Sequence, residues 1–569
     1  MNQALRQLTP PDQDDIALGR VALLDGDLNT AAALFDQASK AAPADHEPRY
    51  WLASTFIAAD VPDVAGSMLT EAQTLHAVSV IRGLGADMDR FQSDRAYSAG
   101  LAQELYGRRL MGPASVAFTR ALDPDNLDPQ QLLAYGLSLQ HQGRVDEAVE
   151  VFTAAAETFP SPGIHEFLLF CLFFVEGGVE RYAAESRRWA ALYASDLAPA
   201  RLAFGNERSA KRRLRIGYVA PSFTKSQLRQ FVMPVLEAHD VQAVEMFLYS
   251  ADPAAELALP ASATVRGVTG VSDEALAAQI RKDRIDILVD LWGHTAGSRL
   301  GVFARRPAPV QLAWVNFVQT TGLTAIDYVL HCDSMAAPGD AALFTETIWR
   351  TGEIIAPYRP ADDRPEPTPT PALASGAITF GSFNNPMKLS DATVAAWAAI
   401  LLGRPGSTLV LKYGPYADPV LQRAVQARFA AHGVDAAQLQ FRGHSSGPDY
   451  LREFQDIDLA LDPSPCPGGT TTCDALANGV PVLTLAGPDF YSRIGLNAAL
   501  ACGLPDLIAQ SWDDYVAKAL ALTADIDALD ALRSRVRPGF EASAFRDEAG
   551  FTRRLEADYR RMFEIWLSQ

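Results

Sequence analysis

The sequence predicts an α-helical solenoid followed by two doubly wound α/β lobes, and three observations carry that reading. A fixed pattern of small residues and phenylalanine occurs twice within the first 162 residues. From Leu214 onward, short apolar strands alternate with helical stretches. The alternation breaks at a run of five prolines between Pro360 and Pro371 and then restarts. At 569 residues the chain exceeds what one core can hold and should divide into three or four domains. Hydrophobic residues at 48% and charged residues at 21% place it among folded globular proteins.

The helical part is expected over residues 1–200. Residues 12–45 carry Gly19, Gly26, Ala31, Phe35, Ala38 and Pro43, and residues 129–162 carry Gly136, Gly143, Ala148, Phe152, Ala155 and Pro160. In both copies the successive steps are seven, five, four, three and five residues. This is the tetratricopeptide (TPR) pattern, in which small residues let two helices approach and a phenylalanine fills the gap. Weaker copies lie at 46–79 (Leu52, Phe56, Ala65, Ala72) and 95–126 (Leu101, Ala114, Phe118, Ala121), and 164–193 reads as a further helical pair. Each unit must bury a face on its neighbour, so the units form one curved stack. Its groove suits an acceptor or partner protein. A rigid spacer or dimerisation surface is the alternative, and an oligomer is compatible with either.

The first α/β lobe is expected over 201–359. Leu214 to Ala220, Ala243 to Tyr249 and Ile285 to Asp290 read as strands, with a helix from Ala275 to Asp283. Residues 360–372 read as a proline-rich linker. The second lobe, 373–550, contains strands at Ala377–Gly381, Thr408–Lys412, Leu439–Phe441, Leu459–Leu461 and Val480–Thr484. Phe551 to Leu567, within a last segment at 551–569, is amphipathic. Two such Rossmann-like lobes bind ligands beyond the carboxyl ends of their strands.

The stretch Pro463 to Asp474 is the most telling for chemistry. Gly468, Gly469 and three consecutive threonines, Thr470 to Thr472, stand between an apolar strand and a helix start. Backbone N–H groups and hydroxyls gathered at such a junction make a seat for a phosphate, although an ordinary structural turn has the same composition. A net charge of −19 argues against a general nucleic-acid binder, and Arg208 to Arg213 reads as a solvated linker. No apolar run approaches membrane-spanning length; Phe167 to Phe174 reads as a buried helix. The first residues lack the apolar core of a signal peptide. Five cysteines without a CxxC pair indicate neither a disulfide framework nor a zinc site, so the cytoplasm is the expected location.

Four motifs occur in one order: Asp286-Ile-Leu-Val-Asp-Leu-Trp-Gly-His-Thr295, Phe303-Ala-Arg-Arg-Pro-Ala-Pro-Val-Gln311, Thr379-Phe-Gly-Ser-Phe-Asn-Asn385 with Lys388, and Gly468 to Asp474. With the repeats before them they resemble the O-GlcNAc transferase/SPINDLY family, and the resemblance covers nearly the whole chain. It implies a GT-B glycosyltransferase that works without a bound metal or other cofactor, with a nucleotide sugar as substrate. Lys388 would then offset the charge on the departing phosphate, as a lysine point charge can. Asn385, Gly468, Thr470 and Thr471 would hold the phosphates, Asp474 the ribose, and Tyr450 would lie against the base. His294 is a candidate catalytic base, with a positioning role as the alternative. Gln311 and Thr321 fall in stretches that resemble the family's sugar-pocket loop.

The departures matter equally. Where the family carries a histidine soon after the first strand, this chain has Ser226, and the family's Gly-Tyr-Pro-Gly loop reads Asn316 to Gln319. Gly447 replaces a lysine near the nucleotide, and Gly469 a histidine before the threonines. Phosphate-side groups match while sugar-side groups differ, which suggests a different donor sugar. Asp252 is a weak substitute base. The expected activity is inverting O-glycosyl transfer from a UDP-GlcNAc-like, GDP- or CMP-linked sugar to serine or threonine of a protein, flagellin among the possible acceptors. The alternative is an inactive TPR adaptor that only binds.

Overall fold

The computed structural model describes residues 11–198, 204–225, 227–257, 259–260, 262–315 and 319–569, with side chains from Asp15 onward. Ser226 lies outside the described residues, as do Asn316, Phe317 and Val318. Among the described residues no helix is long and apolar enough to cross a membrane.

The repeat region is helical throughout. Its helices are α1 (Pro11–Leu24), α2 (Leu28–Ala41), α3 (Glu47–Ala58), α4 (Pro62–Gly83), the short α5 (Met88–Ser93), α6 (Arg95–Gly107), α7 (Met111–Ala121), α8 (Pro129–His141), α9 (Val145–Thr158), α10 (Pro162–Leu172) and α11 (Gly178–Tyr193). The two strongest copies fold as their spacing demands. A Cβ placed on Gly19 would lie 2.6 Å from the Phe35 ring, and one on Gly136 would lie 2.4 Å from Phe152. Both phenylalanines are fully buried. The aspartates Asp27 and Asp128 cap α2 and α8 with their side chains, accepting N–H groups that the first helical turn leaves without partners.

Seven strands follow: β1 (Leu214–Val219), β2 (Val244–Ser250), β3 (Thr264–Gly267), β4 (Ile287–Asp290), β5 (Val310–Ala313), β6 (Tyr328–His331) and β7 (Thr347–Arg350). They make one parallel sheet in the order β3-β2-β1-β4-β5-β6-β7. β4 and β5 are buried along their whole length, as parallel strands covered on both faces must be. Beyond the prolines, β8 (Thr379–Ser382), β9 (Thr408–Lys412), β10 (Leu439–Arg442) and β11 (Leu459–Leu461) pair in the parallel order β10-β9-β8-β11. β12 (Val482–Leu485) pairs in parallel with β13 (Ile508–Ala509).

The compact units do not follow chain order. One comprises Met1–Ala155, Thr370–Ser464 and Trp512–Leu529; the other comprises Ala156–Pro369, Pro465–Ser511 and Asp530–Gln569. In the first, the helix Pro419–Ala430 docks on the repeats. Ser54 Oγ donates to the Ala427 carbonyl at 2.9 Å, and Arg423 meets both oxygens of Glu47 at 2.9 Å. The buried Asp418 takes the Gly112 N–H at 2.7 Å and the Gln142 amide at 2.9 Å.

In the second unit the last helix, Glu548–Ser568, buries Phe551, Leu555, Tyr559, Met562 and Phe563 along one face. Phe551 stacks on Trp314, and Glu556 meets His239 at 2.8 Å. Two sequence readings change here. Arg212 is no solvated linker residue: it forks onto the fully buried Asp286 at 2.6 and 2.7 Å, while Arg208 lies over Trp566. The proline-rich stretch is pinned, with Arg533 and Arg537 donating to the carbonyls of Thr368 and Pro365.

Candidate functional site

In the first unit, β8 delivers Phe383, Asn384 and Asn385 into a tight turn at Pro386–Lys388. The Asn385 side chain accepts the Met387 N–H at 3.1 Å and so fixes the turn. Lys388 Nζ donates to Asn384 Oδ1 at 3.2 Å, and Asn384 in turn donates to Ser382 Oγ at 3.2 Å. The ammonium is therefore placed by groups on its own strand end. Ser390 starts the next helix, Asp391–Gly403, by capping Thr393. The hydroxyls of Ser390 and Thr393 both donate to the Ser464 carbonyl, at 2.7 and 2.9 Å. Ser464 is the last residue of this segment of the first unit.

Tyr450 sits half-buried on the short helix Gly447–Arg452, with its ring against Phe383 and edge-on to Phe454. Below both rings lies Lys412, at 5.9 Å from Phe383 and 6.0 Å from Tyr450. Lys412 is almost fully buried and pairs with Glu453 at 2.8 Å. Burial would raise the Glu453 carboxyl, but its bonds to Lys412 and Ser445 and the charge of Arg442 outweigh that and hold it below the ordinary range. Sequence reasoning missed Lys412. Its only signal was a lysine ending an otherwise apolar strand.

In the second unit, Thr470 and Thr471 open the helix Thr470–Ala477 and are half-buried, with Gly468 buried just before them. The N-terminal turn of a helix favours negative charge. Asp474, one turn in, is buried and accepts a hydrogen bond from the Tyr358 hydroxyl. Its carboxylate thus has a protein partner where a ribose contact was expected.

The remaining expected residues gather beyond β4 and β5, and their roles change. His294 does not have the setting of a base. It is 1% exposed, its Nε2–H donates to the Thr321 carbonyl at 2.8 Å, and Trp189 and Tyr182 of α11 pack on its ring. Burial drives its pKa down to about 4, so the ring is neutral. Gln311 is fully buried and braces the interior: its Nε2 donates to the carbonyls of Phe303 and Ala325 at 2.9 and 2.8 Å. Thr321 and Thr320 both spend their hydroxyls on Glu346, whose carboxyl burial pushes up against those bonds. Asp252 is occupied too, accepting Ser222 Oγ at 2.8 Å and the N–H groups of Phe223 and Thr224 at 2.6 and 3.1 Å. Asp252 therefore has its carboxylate committed to its own loop, and Gln311 commits its Nε2 to the interior.

Lys388 with its asparagines lies in one unit, and the glycine–threonine helix start and the loops after β4 and β5 lie in the other; similarity to known proteins decides the family. The glycosyl transferase family 41 profile matches residues 191–348 and 369–555. This chain belongs to glycosyl transferase family 41. The family 41 stretches contain every candidate residue discussed above. The chain is 34% identical over 410 residues to the probable UDP-N-acetylglucosamine–peptide N-acetylglucosaminyltransferase SPINDLY of Oryza sativa subsp. japonica, which covers 70% of this chain and 44% of that protein. It is 30% identical over 371 residues to the probable enzyme of the same description, SEC, of Arabidopsis thaliana, covering 63% and 38%. The chain therefore spans less than half the length of these curated relatives. Among solved structures, a mutant O-GlcNAc transferase of Thermobaculum terrenum superposes with a TM-score of 0.76 at 29% identity, over 99% of both chains.

Proposed function

We propose that this family 41 chain is an inverting protein O-glycosyltransferase using a UDP-linked sugar, UDP-GlcNAc in the first instance. A serine or threonine hydroxyl of an acceptor protein attacks the anomeric carbon. The new C–O bond forms as the bond from that carbon to the phosphate oxygen breaks, and UDP departs. The hydroxyl proton passes to solvent or to a phosphate oxygen, since Asp252 already accepts three protein hydrogen bonds and His294 is buried under Trp189 and Tyr182. The helical repeats recruit the acceptor; flagellin is one candidate.

The observation that carries this reading is the setting of Lys388. A lysine held by Asn384 on an Asn385-capped turn is a preset positive charge, and a preset charge lowers the barrier where negative charge develops. The names of the relatives point to the same chemistry. Backbone N–H groups at Thr470 and Thr471 would hold the diphosphate, and Tyr450 above Lys412 offers a ring for the uracil.

Lys388→Ala tests it. Release of UDP from UDP-GlcNAc should fall by a factor on the order of 100 or more, with an unchanged melting temperature. Unchanged turnover would remove Lys388 from the mechanism. A wild-type chain whose melting temperature no UDP, GDP or CMP compound raises would be an adaptor rather than an enzyme.

A further inference from the structure

Trp51 on α3 is flanked by cations. The Cζ of Arg20 lies 4.9 Å from the centroid of its ring and that of Arg423 lies 5.2 Å away, while Phe35 stacks on the indole at 5.9 Å. Beside Trp51 opens a cavity of about 380 Å³, where α1 and α3 meet the helix Pro419–Ala430 and the residues that follow it. Leu23 and Leu24 line it from α1, and Ala430 and Val434 from the other segment. All of these residues belong to the first compact unit. Mostly apolar walls with a few polar groups are what a binding site of this size offers.

The charges around the cavity are not equally committed. Arg423 and Glu47 neutralise each other through their two bonds, and Glu47 Oε1 also accepts the Trp51 Nε1–H at 2.8 Å. Asp435 caps the turn Ala436–Gln438 by accepting the Ala437 N–H at 2.9 Å. Arg20 is exposed, and its guanidinium has no hydrogen-bonding partner among the described residues. Arginines that line two other cavities are spent: Arg428 donates to the Leu389 carbonyl and to Asp391 at 2.8 and 2.7 Å, and Arg187 to the Ala342 carbonyl at 3.0 Å. A guanidinium laid against an indole keeps the N–H edge of its plane available for a carboxylate. Apolar surface also continues past the cavity. Leu24, at 67%, is the most exposed large apolar side chain among the described residues, and Val21, one turn earlier at 50%, shares its face. Such a run of exposed apolar surface suits a length of chain better than a compact metabolite.

We propose that this cavity is a docking site for a segment of a partner protein that carries an aromatic or large aliphatic side chain next to a carboxylate. The apolar side chain enters beside Trp51 and the α1 leucines, and the carboxylate pairs with Arg20. A basic segment would meet two guanidiniums and carboxylates already bonded within the protein. A purely apolar one would strip water from Arg20 and leave it unpaired. A phosphate would pair with Arg20 but leave the leucine and valine walls without an apolar partner. The site draws on the repeats and on the Pro419–Ala430 segment together, and it is independent of Lys388 and the transfer chemistry.

The test uses the full chain and three fluorescein-labelled peptides read by anisotropy: Gly-Ser-Asp-Phe-Asp-Ser-Gly, and the same peptide with both aspartates replaced by asparagine or by lysine. Wild type should bind the acidic peptide about tenfold or more tighter than the neutral one, and the basic peptide most weakly, because a charge-assisted pair outweighs a neutral one. Arg20→Gln should bring the acidic and neutral peptides within about threefold of each other, and Arg20→Glu should reverse the order in favour of the basic peptide. Leu24→Ser should weaken the acidic peptide by about threefold or more and keep the order, since apolar contact alone is lost. Surface substitutions cost little, so all three variants should melt within about two degrees of wild type. A wild type that binds the three peptides alike or not at all, or an order that both Arg20 variants leave unchanged, overturns the proposal. So does an Arg20→Gln chain that melts several degrees lower, because Arg20 would then serve the fold. A wild type that sediments as a dimer, dissociated by Leu24→Ser, overturns it in favour of a second copy of this chain. No nucleotide enters the assay, so its failure leaves the transferase reading intact, and an inactive transferase leaves this site intact.

Discussion

The repeats supply a control for their own effect on Lys388. Gly26 and Gly143 hold the same position in two copies of the repeat, and both adopt left-handed backbone, with φ of 76° and 69°. A Cβ on Gly26 would meet nothing within 4 Å, whereas one on Gly143 would lie 3.1 Å from the carbonyl oxygen of Pro386. Pro386 opens the turn that ends at Lys388, and its carbonyl accepts the Leu389 N–H at 3.0 Å. Alanine at either glycine costs about 1–2 kcal/mol for the left-handed conformation. Only Gly143→Ala also forces the Pro386 carbonyl back by roughly 0.3 Å to reach ordinary contact distance. If a misplacement of about 1 Å costs about 100-fold, a shift of ~0.3 Å in the turn bearing the ammonium costs about fourfold in turnover. The assay is UDP release from UDP-GlcNAc by both variants, below both melting transitions, beside urea unfolding curves. Gly26→Ala should lose stability and keep its turnover; Gly143→Ala should lose both. Equal turnover in the two variants would refute the claim that the repeat turn sets the position of Lys388.

Two further predictions concern buried acids. Glu166 on α10 is pushed up to about 8 from its ordinary 4.5 by burial, against a hydrogen bond to Ser298 and with a smaller contribution from Asp290. A raised carboxyl stabilises the fold fully below the unfolded value and loses that contribution as pH climbs toward the folded one. Glu166→Gln keeps the neutral form at every pH, so its melting temperature relative to wild type should rise steadily from pH 5 to pH 8; a gap constant across that range would show that Glu166 ionises freely in the fold. Asp418 joins the repeats to the second lobe through Gly112 and Gln142 and caps its own helix through the Val420 N–H at 2.9 Å. Asp418→Ala strands two buried donors and a cap and should cost about 2–4 kcal/mol in urea unfolding, and a loss below about 1 kcal/mol would contradict that account.

What could be read from the residues was whatever local spacing determines. Gly136 and Phe152 sit sixteen residues apart, and their contact follows from two helices that must touch, so the repeat was legible before any coordinates. The central strands β1, β9 and β11 announced themselves as apolar runs. β3, β6 and β13 did not: strands of two to four residues carry too little periodicity to be told from a loop unless an apolar run marks them, as at β11. The site divides along the same line. Lys388 and Asn385 were named from a family motif at a strand end, and the Gly468–Thr471 turn from its own composition. Gln311, His294 and Asp252 have partners that their local spacing did not show, and those partners (Phe303, Thr321, Phe223) lie 8, 27 and 29 residues away in the chain. A polar residue after a strand reads identically whether its hydrogen bonds go inward or wait for a ligand. That difference is fixed only when the loops close, as they do here where Glu346 takes the hydroxyls of both Thr320 and Thr321.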